Sequence, residues 1–93
     1  MNMNTKKIDE NDINELYNIL LKMKTVDDCR DLLADLCTNK EIEQMAGRIK
    51  AARLLIENKT YNQVIEETDI SSATLSRVSR CVQYGKGYSK FLK

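Results

Sequence analysis

The sequence predicts an all-α domain, a helical bundle that ends in a helix-turn-helix, and three observations indicate this fold class. The 93 residues include no proline and only three glycines, which argues against the many turns of β-sandwiches and barrels. Apolar residues recur at the three-and-four spacing of a helix face. Three threonine-led segments, residues 25–28, 38–41 and 60–63, match the capping box that begins helices. With 42% hydrophobic and 31% charged residues, the composition is that of one small folded domain.

The first three helices follow from caps and periodicity. Asn11 or Asp12 is predicted to cap the first helix, while Thr25 and Thr38 begin the second and third. The third helix is predicted to end at residues 58–59. The residues predicted to face inward are Ile13, Leu16, Tyr17 and Leu20 in the first helix, Val26, Cys29, Leu33 and Leu36 in the second, and Ile42, Met45, Ile49, Ala52 and Ile56 in the third.

Residues 60–84 have the outline of a helix-turn-helix. A short helix leads to a tight turn at residues 69–71, and Ser71 or Ser72 caps a last helix that stops at Gly85. The inward stripe of this helix is Leu75, Val78 and Val82. The opposite face consists of Ala73, Ser76, Arg77, Arg80 and Tyr84.

Two residues depart from the usual helix-turn-helix pattern. Ile65 stands where most such segments have alanine, and Asp69 stands at the turn position usually filled by glycine. Aspartate tolerates a left-handed backbone better than most residues, so we expect the turn to form.

The charge is divided unevenly along the chain. Residues 1–47 carry six basic and ten acidic side chains, whereas residues 48–93 carry nine basic and four acidic ones. From residue 70 to the end there are five Lys or Arg residues and no acid. A polyanion responds to the local field rather than to the net charge of +1, so this end is suited to nucleic acid.

Several function classes are excluded by composition. The chain has no histidine, which removes His-based acid–base catalysis, imidazole zinc sites and Ser-His or Cys-His nucleophile pairs. Three widely spaced cysteines without a secretory signal argue for a reducing, cytoplasmic location. No apolar run is long enough to span a membrane. We therefore expect neither an enzyme, nor a resident cofactor, nor a membrane partner.

The outward face of the last helix has the chemistry of a DNA-reading surface. Small residues at its start allow close approach to base edges, hydroxyls donate or accept there, and arginines pair with guanine or phosphate. Backbone N–H groups at the helix start add a phosphate site. The residues predicted to contact double-stranded DNA are Asn62, Gln63, Ser71, Ser72, Ala73, Thr74, Ser76, Arg77 and Arg80.

Several motifs occur together over residues 12–88: Leu36-Cys37-Thr38 with Glu41, Arg48, Lys59-Thr60-Tyr61, the run from residue 71 to 78, and Arg80-Cys81 with Tyr84-Gly85. Together they resemble the Trp-repressor-like family, and within it the YerC/YecD-type branch. The resemblance implies an all-helical, intertwined homodimer in which the N-terminal helices of both chains share one core. It also implies a transcriptional regulator, most simply a repressor, that reads two half-sites with Ser72, Ala73 and Ser76.

The same resemblance implies a small-molecule effector pocket. Val78 stands where tryptophan-binding members have glycine, and Cys81 stands where they have serine. A branched side chain should crowd an indole ring, so tryptophan is not the expected effector. The positions that correspond to the pocket are Thr38, Arg48, Thr74, Arg77, Val78 and Cys81.

The predicted organisation has a flexible N-terminus at residues 1–10, a DNA-binding domain at residues 11–85 and a basic C-terminal tail at residues 86–93. One alternative is a helical protein–protein adaptor that does not bind DNA. Another is a metal-dependent hydrolase built on the aspartates of the second helix, but no nucleophile or base accompanies them. A turn-spaced acidic row is typical of a solvated helix face, and we predict no metal site.

Overall fold

A computed structural model describes residues 6–93, and within that range the chain is entirely helical, as the sequence predicts. It folds into two compact units, Met1–Leu36 and Cys37–Lys93. No helix in the described range is long and apolar enough to cross a membrane. The helices are α1 (Glu10–Leu20), α2 (Val26–Leu36), α3 (Asn39–Ile56), α4 (Tyr61–Thr68), α5 (Ser72–Tyr84) and α6 (Gly87–Leu92).

The first unit contains α1 and α2; α1 begins earlier than the sequence suggested, whereas α2 begins directly after Thr25, as predicted. Asp9, rather than Asn11 or Asp12, caps α1, because its carboxylate accepts from the Asp12 N–H at 3.1 Å while the Asp12 carboxylate accepts from the Asp9 N–H at 3.0 Å. At α2, the Thr25 hydroxyl accepts from the Asp28 N–H, but the Asp28 carboxylate reaches the N–H of Lys24 instead of Thr25. Residues 1–5 of the predicted flexible terminus lie outside the described residues.

Neither helix of the first unit contains a buried residue. Ile13, Leu16 and Tyr17 share one face of α1, as predicted, yet all three are exposed. Leu36 at the end of α2 is also exposed. The two helices are therefore amphipathic without an apolar cover within their own unit.

In the second unit, local hydrogen bonds cap α3 at both ends. The Thr38 hydroxyl accepts from the Glu41 N–H at 3.1 Å, and Glu41 accepts from the Thr38 N–H at 2.8 Å. This bond, together with that to the Thr38 side chain, lowers the pKa of Glu41 below its ordinary value of 4.5. At the other end Asn58 adopts a left-handed backbone (φ 66°), and the Lys59 N–H bonds the Leu54 carbonyl at 3.0 Å. This Schellman ending confirms the predicted end of α3 at residues 58–59.

The core of the second unit lies where α3 packs against α4 and α5. It consists of five fully buried side chains: Ala51, Ala52, Val64, Leu75 and Val78. Ile49, which the periodicity assigns to the inward face of α3, is instead 47% exposed. Ala51 is fully buried instead, on the side of α3 that contributes to the core.

The C-terminal segment is not the free tail that was predicted. Residues 87–92 form α6, and Tyr88 and Leu92 pack against the core of the second unit. Tyr88 and Leu92 are four residues apart and therefore share one helix face, a spacing that the surrounding basic residues made easy to overlook. Gly85 ends α5 as predicted. Its φ of −81° is open to any residue, so glycine is needed there for lack of space: a Cβ would lie 2.6 Å from the Cys81 carbonyl oxygen.

Candidate nucleic-acid interface

The segment from α4 to α5 has the outline of a helix-turn-helix, and local hydrogen bonds fix the start of each helix and the turn between them. The Thr60 hydroxyl caps α4 by accepting from the Gln63 N–H. Asp69 takes the left-handed conformation (φ 61°, ψ 19°) that the turn requires, as expected for aspartate in place of glycine. Ser71, the first of the two predicted caps, accepts from the Thr74 N–H at 3.1 Å. The turn is therefore three residues long and begins α5 at a defined angle.

Two further hydrogen bonds fix the end of α4, one within the helix and one from α3. The Thr68 hydroxyl donates to the Val64 carbonyl at 2.6 Å and so closes the last turn of α4. Lys50 on α3 donates from Nζ to the Glu67 carbonyl at 3.1 Å, where α4 ends and its dipole is negative. The role of Lys50 could not be predicted from the sequence, since nothing local marks a contact between residues 17 positions apart.

The structure turns the predicted reading face of α5 outward. Leu75 and Val78 are buried and Val82 packs against the core, while the opposite side remains open to solvent. No carboxylate in the described residues forms an ion pair with Arg77 or Arg80. The guanidinium groups are therefore available to an external anion. The exposed residues of this face are Ser72, Ala73, Ser76, Arg77, Arg80 and Tyr84.

The predicted DNA contacts divide into free and occupied side chains. Gln63 uses its amide oxygen to accept from the Thr60 N–H at 2.9 Å. Ser71 and Thr74 hydrogen-bond each other at 2.9 Å between hydroxyl oxygens, so both serve the cap. Asn62 is exposed on α4. The predicted contacts whose side chains remain free and exposed are Ser72, Ala73, Ser76, Arg77 and Arg80 on α5, together with Asn62 on α4.

The predicted effector residues are not gathered into one cavity of the chain. Arg48 and Thr74 line a polar cavity of about 460 Å³ between α3 and the turn. Cys81 lines a different, apolar cavity of about 570 Å³ beside α6. Val78 belongs to the core at 1% exposure. Thr38 and Arg77 line neither cavity.

Metal ligation finds no support in the part of the chain that the structure describes. No group of three or more Cys, Asp or Glu side chains there is arranged to hold an ion. Asp27 of the aspartate row pairs with Arg30 at 2.8 Å, and Asp28 serves the α2 cap. These carboxylates act locally on α2.

Comparison with known proteins gives consistent matches over most of the chain. The family described as Trp repressor protein matches residues 11–93. The uncharacterized protein YerC from Bacillus subtilis (strain 168) is 40% identical over 83 residues, which cover 89% of this chain and 80% of that protein.

Two crystal structures share the fold. A TrpR like protein from Eubacterium eligens ATCC 27750 superposes with a TM-score of 0.79 and 37% identity, covering 84% of this chain and 81% of that one. A candidate Trp repressor from Staphylococcus aureus superposes with a TM-score of 0.84 and 30% identity, covering 98% and 92%. The family match and the two structures therefore agree on Trp repressor-like proteins.

Proposed function

Because the chain belongs to the Trp repressor family, and within it to the YerC-type branch, we propose that it is a sequence-specific DNA-binding regulator of transcription that acts as a homodimer. The observation that carries this proposal is the exposed outer face of α5. That face carries small and hydroxyl side chains at its start and two arginines further along. We place the protein in the cytoplasm with its DNA.

DNA binding is supported by position as well as by chemistry. Ser72, Ala73 and Ser76 occupy the first turns of α5, the part of a recognition helix that reaches base edges in the major groove. Arg77 and Arg80 follow on the same side, where guanine or phosphate can accept from their guanidinium groups. A surface of this kind binds DNA with a marked salt dependence, since each phosphate contact releases counterions.

Dimerisation is supported by the apolar surface that a single chain leaves open. Neither α1 nor α2 buries a residue, although both are amphipathic. In the second unit, Ile49 and Phe91 are also exposed. A chain of 93 residues buries little surface by itself, so a second copy is the simplest cover for these faces. Two copies also match the two half-sites of a symmetric operator.

For the effector we propose a small molecule other than tryptophan. An indole needs open space at position 78, and Val78 fills that space with a buried isopropyl group. Arg48 and Thr74 remain suitable for a polar ligand because they share one cavity. Isothermal titration with tryptophan should show no binding, and saturable binding would contradict this part of the proposal.

The experiment that tests DNA binding is selection from a random-sequence duplex pool, followed by titration of the recovered duplex at increasing salt. We expect Arg77→Ala and Arg80→Ala each to lower affinity and to reduce the slope of log affinity against log salt by about one. Arg53→Ala, which removes an exposed arginine from α3, is the matched control. Both α5 variants should remain dimeric and folded.

The outcome that would overturn the proposal is equally defined. A protein–protein adaptor would recover no duplex, and its apolar contacts would respond little to salt. Recovery of a duplex whose affinity is the same in Arg77→Ala, Arg80→Ala and Arg53→Ala would remove the assigned reading face.

A further inference from the structure

Tyr84 continues the outer face of α5 beyond the residues assigned to DNA. Ser76, Arg80 and Tyr84 follow at intervals of four, which places them in one row along the helix. The Tyr84 side chain is 81% exposed. No described residue offers its hydroxyl a hydrogen bond or its ring an aromatic contact. Tyr84 is thus a large amphipathic side chain that stands without a partner at the end of this row.

The backbone beneath Tyr84 is fixed in spite of this exposure. The Gly85 N–H donates to the Cys81 carbonyl at 2.8 Å and so closes the final turn of α5. Two residues later α6 begins, and it returns to the core through Tyr88 and Leu92. The ring is therefore carried on an anchored helix end, which lowers the entropy cost of binding through it.

The length of the row fits the width of the groove. At 1.5 Å per residue, Tyr84 lies about 12 Å along the axis from Ser76, and the major groove is about 12 Å wide. When the first turns of α5 lie at base edges, the last turn lies near the groove rim, where phosphates and sugars are found. A tyrosine hydroxyl is a common donor to phosphate oxygen, and its ring packs on the deoxyribose.

We propose that Tyr84 binds the sugar–phosphate backbone at the rim of the major groove and thereby limits how α5 tilts in it. This inference rests on the proposed DNA binding and adds a neutral contact to it. Because the phenol is uncharged, it releases no counterion, so its loss lowers affinity without changing the salt slope. Arg80 in the same row does change the slope, and this difference identifies the Tyr84 contact.

The test compares Tyr84→Phe, Tyr84→Ala and Arg80→Ala on the duplex recovered by selection, with Arg53→Ala as the control for loss of an exposed side chain from α3. We expect Tyr84→Phe to bind about three- to tenfold more weakly with an unchanged salt slope, the size of one lost hydrogen bond. Tyr84→Ala should lose more, because the ring contact goes too. Arg53→Ala should bind like the parent chain.

The failures are distinguishable. If both Tyr84 variants bind like the parent while Arg80→Ala is weakened, the Tyr84 contact is wrong and the reading face stands. If Tyr84→Ala instead dissociates the dimer in sedimentation, the ring contacts a second copy and the proposal is overturned. If no duplex is recovered by the parent chain, the proposed function itself fails.

Discussion

The two units of this chain contain similar helices but have very different interiors. Both are built from capped, amphipathic helices, yet among the residues that the structure describes the second unit contains every fully buried side chain and the first contains none. Caps and periodicity are therefore sufficient to specify helices, but they do not ensure that the apolar faces of those helices are buried. The second unit covers its helices with its own residues, whereas the apolar faces of the first are available to a partner. The following predictions test that difference.

The largest effect is expected in the core of the second unit. Leu75→Ala removes a fully buried side chain between α5 and α3, and we expect the free energy of unfolding to fall by about 3 kcal/mol. Urea denaturation measures this loss. The control is Ser76→Ala, which changes the exposed neighbour and should alter stability little. Equal stability of Leu75→Ala and the parent would contradict the core assignment.

A charge in the first unit should act on assembly instead. Leu16→Glu places a carboxylate on the apolar face of α1, and we expect it to weaken dimerisation by about 2 kcal/mol or more. Sedimentation equilibrium across a range of protein concentrations reports this change. Asn18→Glu adds the same charge to the opposite face of the helix and should leave the dimer intact. A dimer unaffected by both changes would show that α1 is not at the interface.

The paired caps give a smaller and more direct comparison. Thr60→Ala and Thr25→Ala each remove one hydroxyl that accepts from a first-turn N–H, a loss of about 1 kcal/mol. In the second unit this should lower the melting temperature by about 4–8 °C. In the first unit we expect faster amide exchange along α2 together with weaker dimerisation. The same response in both units would remove the distinction between them.

The smallest effect is a pH dependence at the start of α3. The hydrogen bonds from Thr38 lower the pKa of Glu41 in the folded chain, so this contribution is present above its ordinary value of 4.5 and is lost as pH falls through the folded value. Glu41→Gln should therefore flatten the acid limb of the stability curve below pH 4.5. Thermal unfolding from neutral pH into that range measures it. An unchanged acid limb would mean that other carboxylates dominate.

Much of the helix-turn-helix could be predicted from the sequence because its determinants are local. Thr60, Asp69 and Ser71 act on backbone groups within four residues, and all three take the predicted roles. The exposed face of α5 also follows from periodicity alone. The prediction that Asn11 or Asp12 caps α1 was wrong, because Asp9 is equally able to accept and lies two residues before Asn11.

The parts that sequence analysis missed depend on distant residues. The helix α6 was not predicted, because Tyr88 and Leu92 are recognisable as its apolar anchors only beside the core that they contact. Lys50 reaches a carbonyl 17 positions away. The resemblance suggested a single effector pocket, but Arg48 and Cys81 line separate cavities of the chain.

By itself, the sequence determined where the helices from α2 to α5 begin, how the turn between α4 and α5 is made and which side of α5 carries arginine. These features depend on hydrogen bonds and spacings of at most four residues. Only the tertiary structure decided that Ala51 rather than Ile49 is buried, that α6 returns to the core and that α1 and α2 remain uncovered. Burial depends on which surfaces meet, and the residues that meet are far apart along the chain.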